Sequence, residues 1–434
     1  MPVATNGHAA SASLATSELL RVATAGSVDD GKSTLIGRLL LDSKQILEDQ
    51  LAAVERTTLE QGSEGLNLAL LTDGLRAERE RGITIDVAYR YFATPRRRFV
   101  LADTPGHVEY TRNMVTGASR SDVSIVLVDA CAGVVEQSRR HASISALLRI
   151  PHVVLCVNKM DLVDFDRAVF ERVAGEFIRL ATHLGVEDVT AIPISALLGD
   201  NVVEPSPAMP WFTGAPLLGH LEDIELLPEG RTGGARLPVQ WVLPSGGGPE
   251  AHCYAGQVSG GVLRPGDEVA VLPSGASGRI ARIATFDGDL DEAAAPRSVT
   301  LHLSDGLDAV RGDMIVAAAE PPMLTRELEA TLCWMSETPL EPGAGYLLKH
   351  TTRTVRATVG ELRFRLDNDS LEHEPAPARL TLNDLAGVRI ALDAPLALDP
   401  YRDNRVTGSF ILIDEATNAT VAGGMVDAAP AAGG

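Results

Sequence analysis

The sequence is poor in three features typical of membrane, secreted and nucleic-acid-binding proteins: long apolar runs, paired cysteines and excess positive charge. It has no run of eighteen apolar residues, which predicts that no helix spans a membrane. Its four cysteines lie far apart, which predicts neither a zinc site nor disulfides, but buried thiols in a cytoplasmic protein. Residues 1–17 contain no Lys or Arg and do not resemble a secretory signal. We expect residues 1–17 and 428–434 to be disordered tails.

Positive charge is scarce relative to negative charge. The chain carries 58 acidic and 38 basic residues, a net charge of −20 at pH 7. This balance disfavours a nucleic-acid partner, because the field of the chain repels phosphate backbones. The one evident basic cluster, Arg96-Arg97-Arg98, is interpreted as a solvated hairpin turn between two strands. A length of 434 residues at 45% hydrophobic composition predicts two to four domains.

A short glycine-containing stretch matches the pattern G-x-x-x-x-G-K-[ST]. It follows the apolar run Leu19–Ala25 and precedes a helix-like segment, the context in which this pattern binds phosphate. Glycines let successive N–H groups surround an anion, Lys32 can reach the terminal phosphates, and the Ser33 hydroxyl can ligate Mg²⁺. The predicted phosphate-binding residues of this loop are Gly26, Ser27, Val28, Asp29, Asp30, Gly31, Lys32, Ser33 and Thr34.

Residues 18–230 alternate short apolar runs with segments of helical period, which predicts an α/β domain with a mostly parallel sheet. Ligands of such sheets lie beyond the carboxyl ends of the strands, so the polar clusters that follow the strands should converge on one site. The strand candidates are Leu20–Ala25, Ile85–Phe92, Phe99–Asp103, Val123–Asp129, His152–Asn158 and Val189–Ile194.

Two of these clusters suit a metal and a γ-phosphate. Asp103-Thr104-Pro105-Gly106 follows the third strand, where the carboxylate can hold Mg²⁺ through water and the Gly106 amide can meet a γ-phosphate oxygen. Thr84 supplies a hydroxyl that can ligate the same metal and respond to the γ-phosphate. The predicted metal ligands are therefore Ser33, Thr84 and Asp103. The charged segment 42–80 before Thr84 is interpreted as a nucleotide-sensing switch.

Two further clusters suit guanine. Asn158-Lys159-Met160-Asp161 ends the fifth strand, and the Asp161 carboxylate can accept both the N1–H and the exocyclic amine of guanine. Adenine does not present that pair of donors. Ser195-Ala196-Leu197 follows the sixth strand and can offer backbone amides to the guanine carbonyl. The sequence therefore predicts a guanine nucleotide site.

Glycine and proline become frequent from Arg231 onward, and short strands recur at close spacing. This pattern predicts two all-β barrels, at 235–320 and 323–427, with a break near Glu320-Pro321-Pro322. Predicted strands of the second barrel include Leu380–Leu382 and Val388–Leu392.

The order of these motifs resembles the translation-factor class of GTPases, in which one GTP-binding P-loop domain precedes two β-barrels. In that class, the histidine after Asp-Thr-Pro-Gly positions the attacking water beneath an apolar gate. The resemblance implies that His107 has this catalytic role and that Val28 and Ile83 form the gate. It also implies GTP and Mg²⁺ as cofactors, with slow intrinsic hydrolysis that a partner accelerates.

Two positions in the phosphate loop narrow the resemblance to one group within this class of GTPases. Ser27 and Asp30 stand where elongation factors have histidines. With several other stretches, they make the chain similar to the GTP-binding large subunit of bacterial sulfate adenylyltransferase. The resemblance implies a heterodimer in which a small ATP-sulfurylase catalytic subunit makes adenosine 5′-phosphosulfate and pyrophosphate, with no nucleic-acid or membrane partner. The other stretches are Leu71–Leu75, Ile85–Phe92, Met209–Phe212, Tyr254–Val258 and Gly408–Asp414.

Two alternatives stay open at this point. A translation elongation factor carrying aminoacyl-tRNA would share every guanine-binding residue, although the net charge of −20 and the Ser27 and Asp30 positions disfavour it. A GTP-dependent scaffold would use its nucleotide state only to control association. Binding to tRNA would identify the elongation factor, and GTP turnover that ignores ATP and sulfate would identify the scaffold.

Overall fold

The computed structural model describes residues 18–44, 68, 86–107, 110–226, 233–244, 252–304, 307–367 and 373–428. The chain divides into two compact units, Met1–Leu226 and Leu227–Gly434. The N-terminal tail, residues 429–434 of the C-terminal tail, Ile83, Thr84 and most of the 42–80 segment lie outside the described residues. The tail predicted to begin at Ala428 begins one residue too early, because Ala428 is the last residue of a strand and pairs with Glu329. Within the described part, none of the helices has the length and apolar character needed to cross a membrane.

The first unit is a six-stranded sheet with helices. The strands are β1 (Leu19–Ala25), β2 (Ala88–Ala93), β3 (Arg98–Asp103), β4 (Val123–Asp129), β5 (His152–Asn158) and β6 (Val189–Pro193). They lie in the order β2-β3-β1-β4-β5-β6, and all neighbours are parallel except β2 and β3. The helices are α1 (Lys32–Asp42), α2 (Thr111–Ala118), α3 (Glu136–Leu147), α4 (Arg167–His183) and α5 (Leu217–Asp223).

Composition explains these elements. Strands β4 and β5 are β-branched and apolar and are buried along almost their whole length, as expected for central strands of a parallel sheet. Helix α1 places Leu35, Ile36 and Leu39 in the same core as β1 and β4. Helix α4 begins where the Asp166 carboxylate accepts a hydrogen bond of 2.7 Å from the Ala168 amide. These elements hold the loops at the carboxyl edge of the sheet.

The second unit contains two closed six-stranded antiparallel barrels. The first-barrel strands and their short additions are β7 (Arg236–Pro244), β8 (His252–Gln257), β9 (Val262–Leu263), β10 (Glu268–Leu272), β11 (Ala276–Thr285), β12 (Gly288–Leu290), β13 (Ala293–Ala294), β14 (Ser298–Leu303) and β15 (Met314–Ala317). Those of the second are β16 (Met323–Trp334), β17 (Ala344–His350), β18 (Arg353–Leu366), β19 (His373–Pro375), β20 (Leu385–Leu398), β21 (Ser409–Ile413) and β22 (Thr420–Ala428).

The strand order shows how each barrel closes. In the first, β10-β15-β7-β8-β14-β11 is closed by pairing of β10 with β11, and in the second, β17-β21-β22-β16-β20-β18 is closed by pairing of β17 with β18. The predicted fold class, an α/β domain followed by two β-barrels, is confirmed.

The strand predicted at Leu380–Leu382 is wrong. Leu380 forms only an isolated bridge with Leu340. The chain then turns, because the Asp384 carboxylate accepts hydrogen bonds from the amide and the hydroxyl of Thr381, at 2.7 and 3.0 Å. An aspartate that satisfies the backbone in this way favours a turn over a ladder.

Two smaller sequence-based expectations also need correction. Arg96–Arg98 does flank a hairpin turn between β2 and β3, but the cluster is not solvated throughout. Arg97 is buried and donates hydrogen bonds to the carbonyl oxygens of Leu221 and Ile224, at 3.1 and 2.5 Å. The expectation of buried thiols fails for one cysteine, since Cys131 is exposed while the other three are buried.

A buried ion pair joins the two barrels. The Arg236 guanidinium donates to both carboxylate oxygens of Asp399, at 3.1 and 3.0 Å, and to the carbonyl oxygen of Glu320 at 2.7 Å. The Arg236 side chain is only 6% exposed. The Thr407 hydroxyl also donates to Asp399, at 2.6 Å. This planar two-point contact fixes the barrels against each other with defined geometry.

Candidate functional site

The predicted phosphate loop lies between β1 and α1, at the carboxyl edge of the sheet. Gly31 has φ +92°, and a Cβ atom there would stand 2.5 Å from the Asn158 amide nitrogen, so only glycine fits. Gly26 also has positive φ, and a Cβ there would meet the Leu127 carbonyl oxygen at 2.9 Å. The loop therefore takes the left-handed turns that let successive amides face one concave space.

Lys32 begins α1 and folds back over this loop. Its Nζ atom donates to the carbonyl oxygens of Gly26 and Ser27, at 2.9 and 2.8 Å. Burial lowers the pKa of Lys32, and the carboxylates of Asp103 and Asp30 oppose that shift. The ammonium is thus held by carbonyl oxygens of the predicted phosphate loop itself.

The Asp103–Gly106 turn contacts the loop directly. The Thr104 hydroxyl donates to the Thr24 carbonyl oxygen at 2.5 Å, which anchors the turn to β1. A Cβ atom on Gly106 would collide with Nζ of Lys32 and would lie 2.7 Å from the Gly26 carbonyl oxygen. Glycine at 106 thus permits an approach that any other residue would block. The structure brings this turn and the phosphate loop together, as the sequence predicts.

Asn158 connects the two predicted halves of the nucleotide site. Its side-chain nitrogen donates to the Asp30 carbonyl oxygen at 2.7 Å, and its side-chain oxygen accepts from the Ala196 amide at 2.9 Å. The Ser195 amide bonds to the Asp200 carbonyl oxygen at 3.1 Å. Among the three amides predicted to face guanine, the Leu197 amide alone has no acceptor within the described residues. Leu197 is therefore the best placed of the three to donate to a base.

The Asn158–Asp161 segment has an unusual backbone. Lys159 has φ +63°, uncommon for a residue with a side chain, and Met160 is fully buried, so Met160 serves the core rather than a ligand. Lys159 Nζ donates to Asp129 at 2.7 Å. Burial would raise the pKa of Asp129, but hydrogen bonds from Lys159 and from the Cys131 amide outweigh it and lower the pKa. Asp161 is the second residue of the short 3₁₀ turn Met160–Val163 and is half-buried.

Arg38 is a site residue that sequence reasoning missed. It projects from α1, and its guanidinium donates to the carbonyl oxygens of Ala196, at 3.3 Å, and Leu197. It also pairs with Asp42 at 3.5 Å. Arg38 thus links α1, the helix that follows the phosphate loop, to the Ser195–Leu197 segment predicted to bind guanine. No local pattern reveals this contact, because its partners lie 158 and 159 residues away in the chain.

The predicted catalytic group is only partly described. His107 is exposed, and its ring lies 6.0 Å from the ring of Tyr110, centroid to centroid. Val28 is half-buried within the phosphate loop. His107 adjoins Gly106 and Val28 adjoins Ser27, so both stand beside the contact between turn and loop. Ile83, the other predicted gate residue, lies outside the described residues.

The oxygen ligands predicted for Mg²⁺ fit that ion. Ser33 is half-buried in the first turn of α1, and Asp103 is buried at the end of β3. Hydroxyl and carboxylate oxygens are the donors Mg²⁺ prefers, and it commonly binds through few protein ligands together with nucleotide phosphates. Accordingly, the described residues contain no cluster of three or more His, Cys, Asp or Glu side chains able to hold a metal alone. Thr84 lies outside them.

Comparisons with known proteins agree with this geometry. Residues 17–228 match the Elongation factor Tu GTP binding domain, and residues 327–427 match the GTP-eEF1A C-terminal domain-like family. Sulfate adenylyltransferase subunit 1 of Laribacter hongkongensis is 48% identical over 99% of this chain and 90% of its own length. The protein of the same name from Bacteroides fragilis is 49% identical over 94% of this chain and 86% of its own.

The chain belongs to the sulfate adenylyltransferase subunit 1 family. It carries a GTP-binding domain and is a GTPase subunit of a nucleotidyltransferase. The Bifunctional enzyme CysN/CysC of Mycobacterium tuberculosis is 55% identical over 94% of this chain and 67% of its own length. Among solved structures, Sup35 complexed with GDP aligns over 96% of both chains at a TM-score of 0.44 and 21% identity, too distant to bear on function.

One stretch on which the resemblance to the sulfate adenylyltransferase subunit 1 family rests packs against the segment that follows Asp161. Trp211, in Met209–Phe212, donates its indole N–H to the Phe165 carbonyl oxygen at 3.1 Å. The Trp211 ring lies 5.5 Å from the ring of Phe170. Trp211 thus contacts both the segment that follows Asp161, through Phe165, and helix α4, through Phe170. The stretch therefore supports the site without lining it.

Proposed function

We propose that this chain is the regulatory GTPase subunit of sulfate adenylyltransferase and couples GTP hydrolysis to sulfate activation. The partner catalytic subunit forms adenosine 5′-phosphosulfate and pyrophosphate from ATP and sulfate. The two chains form a heterodimer that acts in sulfate assimilation. The observation that carries this proposal is the 48% identity over 99% of this chain with a protein named sulfate adenylyltransferase subunit 1. The Ser27 and Asp30 positions support it against an elongation-factor function.

The nucleotide roles belong to the same proposal. Amides of the Gly26–Thr34 loop and Lys32 hold the phosphates, and Asp161 with the Leu197 amide recognises guanine. Ser33, Asp103 and Thr84 would hold Mg²⁺, which would supply charge neutralisation for phosphoryl transfer. The support is geometric: the loop, the Asp103–Gly106 turn and the Asn158 bridge meet at one edge of the sheet.

His107 orients the water that attacks the γ-phosphate in this proposal, and Val28 and Ile83 restrict its approach. Phosphoryl transfer demands positioning and charge stabilisation more than covalent chemistry, so a side chain that orients the water suffices. Exposure of His107 accords with slow hydrolysis until a partner moves the side chain inward. Coupling then requires that the GTP-bound state and the active state of the partner favour one another, a coupling free energy between two sites.

The deciding experiment measures phosphate release from GTP by this chain mixed with its small catalytic subunit. We expect release to rise when ATP and sulfate are added together, and adenosine 5′-phosphosulfate to form only when both subunits are present. GTP turnover that is indifferent to ATP and sulfate would favour the scaffold alternative. Synthesis of adenosine 5′-phosphosulfate by this chain alone would refute the division of labour.

The role of His107 has its own test. His107→Ala should retain GTP binding but lose most of the partner-stimulated hydrolysis, about 10²–10³-fold, the range for removing one preorganised catalytic contact. His183→Ala, which alters an exposed histidine on α4, is the matched control and should hydrolyse GTP normally. Stimulated hydrolysis at the wild-type rate in His107→Ala would exclude this residue.

A further inference from the structure

A cavity of about 560 Å³ that is widely open to solvent lies in the second unit, where the two barrels meet. The first barrel contributes Arg311, from the segment between β14 and β15. The second barrel contributes Thr352 from the turn between β17 and β18, together with Arg353 and Arg356 from β18. Three guanidinium groups thus border one hollow in a chain whose net charge is −20. Guanidinium groups gathered in a hollow offer several hydrogen-bond donors to one anion.

The three arginines retain unused hydrogen-bond donors. Arg311 is exposed, donates to the Gln240 carbonyl oxygen at 2.6 Å, and forms no ion pair with any described residue. Arg353 pairs with Asp313 at 3.1 Å, and Arg356 pairs with Glu415 at 3.4 Å, so each uses only part of its guanidinium.

One carboxylate, that of Asp393, also lies in the wall of the cavity. Its Oδ1 atom accepts a hydrogen bond of 3.1 Å from the Arg356 backbone amide. This carboxylate keeps its charge. Because Asp313 and Glu415 pair with Arg353 and Arg356, Arg311 is the guanidinium of the cavity that has no ion pair among the described residues.

Two buried donors beside the cavity lack acceptors. The Thr352 hydroxyl oxygen and the Arg353 Nε atom are buried, and neither has a hydrogen-bond partner among the described residues. Native proteins leave few buried polar atoms unsatisfied, and a bound ion or ligand is a common reason for an exception. Both residues line the cavity, and since neither atom is exposed, a small rotation of each side chain would bring its unused donor to an oxyanion placed there.

The remaining wall is partly apolar. Leu347 and Val355 line the cavity, and its volume falls within the range of small-molecule sites. We propose that this cavity binds an organic phosphate or sulfate ester of nucleotide size, with the oxyanion on the arginines and the organic part on the apolar wall. Arginine forks suit phosphate and sulfate oxygens because they donate two parallel hydrogen bonds. The site is separate from the phosphate loop at Lys32, and the proposal does not depend on GTP coupling.

Calorimetry on the full chain preloaded with GDP and Mg²⁺ tests the proposal, because the phosphate loop is then filled. AMP, adenosine 5′-phosphosulfate, pyrophosphate and inorganic sulfate are titrated separately. We expect saturable binding of AMP or adenosine 5′-phosphosulfate at micromolar to millimolar concentration, tighter than that of either inorganic ion. Absence of saturable binding, or equal affinity for inorganic sulfate, would overturn the assignment to an organic anion.

Variants locate the binding. Arg311→Ala and Thr352→Val should each weaken it, by roughly 10-fold or more for the arginine, the usual effect of losing one charge-assisted hydrogen bond. Arg282→Ala, which removes an exposed arginine of the first barrel that pairs with Asp289, should bind normally. The thermal unfolding of each variant confirms that it is folded. Equal affinity in all three variants would place the ligand elsewhere and refute the proposed site.

Discussion

Asp30 is a carboxylate within a loop whose predicted ligand is a phosphate. It is buried, and its Oδ2 atom accepts a hydrogen bond of 2.6 Å from the Ser27 amide three residues earlier. Burial raises the pKa of Asp30, while the Ser27 hydrogen bond and the Lys32 charge act to lower it. The side chain therefore closes the loop upon itself. Since Ser27 also receives a hydrogen bond from Lys32, Asp30 fixes the segment on which the lysine rests.

Replacing Asp30 tests this closure. Asp30→Ala should weaken GTP binding about 10-fold, because a hydrogen bond to a charged group contributes about 1.5–3 kcal/mol and the loop would lose its fixed shape. Asp30→Asn is the matched control and should bind nearly as well as wild type, because the amide oxygen can still accept from Ser27. Fluorescent GTP analogues give the dissociation constants. Equal affinity for alanine and asparagine variants would show that the hydrogen bond is dispensable.

The β2–β3 hairpin is held to α5 by the buried Arg97. Besides the carbonyl oxygens of Leu221 and Ile224, Arg97 contacts the Glu18 carboxylate at 3.1 Å. Arg96 pairs on the surface with Glu222 and Asp223. The buried arginine satisfies carbonyl groups at the end of α5 that have no helical partner. The hairpin is thus attached through main-chain oxygens as well as through surface charges.

Arg97→Ala should destabilise the first unit by about 2–3 kcal/mol, because it strands two buried carbonyl groups without donors. The neighbouring Arg98→Ala removes an exposed side chain of the same hairpin and should change stability by less than about 0.5 kcal/mol. Urea unfolding of the full chain, followed by far-UV circular dichroism, compares the two. A loss of the same size in both variants would contradict a specific role for Arg97.

Sequence reasoning succeeded where local pattern and tertiary environment agree. Strands β4 and β5 were predicted to the residue, because buried central strands are uniform apolar runs bounded by polar clusters. Strand β22 was missed, since Gly423 and Gly424 interrupt its pattern. Gly424 has its reason in a distant residue, because the Phe410 ring fills the space its side chain would take.

The candidate site likewise has features that the local sequence pattern predicts and features that depend on distant residues. The motifs revealed which residues gather at the sheet edge, because each motif follows a predicted strand. The contacts that hold them together were not predictable: the Asn158 bridge and the Arg38 clamp join segments more than a hundred residues apart. Local spacing carries no information about such pairs.

At the scale of the molecule, the second unit depends on the joint between its barrels. Each barrel has its own apolar core. Closure of each barrel also pairs the first and last strands of its six-stranded order by hydrogen bonds. The buried Arg236–Asp399 pair supplies orientation. Such pairs contribute little relative to apolar replacements but are costly to break, because one partner is then left buried and charged.

Arg236→Ala should therefore destabilise the second unit by about 3–5 kcal/mol. The double variant Arg236→Met with Asp399→Leu should recover much of that loss, since neither buried charge remains. Differential scanning calorimetry of the full chain reads both. A double variant as unstable as Arg236→Ala would show that hydrogen bonding, and not the stranded charge, sets the effect.

Stability should also depend on pH through His350. This side chain is buried and donates to the Thr407 carbonyl oxygen at 2.9 Å, and burial lowers its pKa to about 4. The unfolded chain protonates it near pH 6.5. Between those values, the unfolded state binds more protons, so stability is full above pH 6.5 and falls as pH drops toward 4. The slope is at most about 1.4 kcal/mol per pH unit for one group.

His350→Gln keeps a donor for Thr407 without a titrating ring and should flatten that pH dependence. The exposed His183→Gln on α4 should leave it unchanged. Denaturation midpoints measured between pH 4 and 7 separate the variants. A wild-type slope in His350→Gln would assign the pH dependence to other groups, such as the buried His141, whose pKa burial lowers to about 3.

The position of Lys32 has an entropic consequence. A lysine side chain loses up to about 2 kcal/mol of rotamer freedom when it is fixed in place. Here the ammonium already rests on the carbonyl oxygens of Gly26 and Ser27, so that ordering occurs when the protein folds. In the proposed function, binding a phosphate would exchange one set of oxygen partners for another without immobilising a free side chain. The Lys32 side chain therefore loses its conformational entropy on folding rather than on binding, so more of the ligand's interaction energy contributes to affinity.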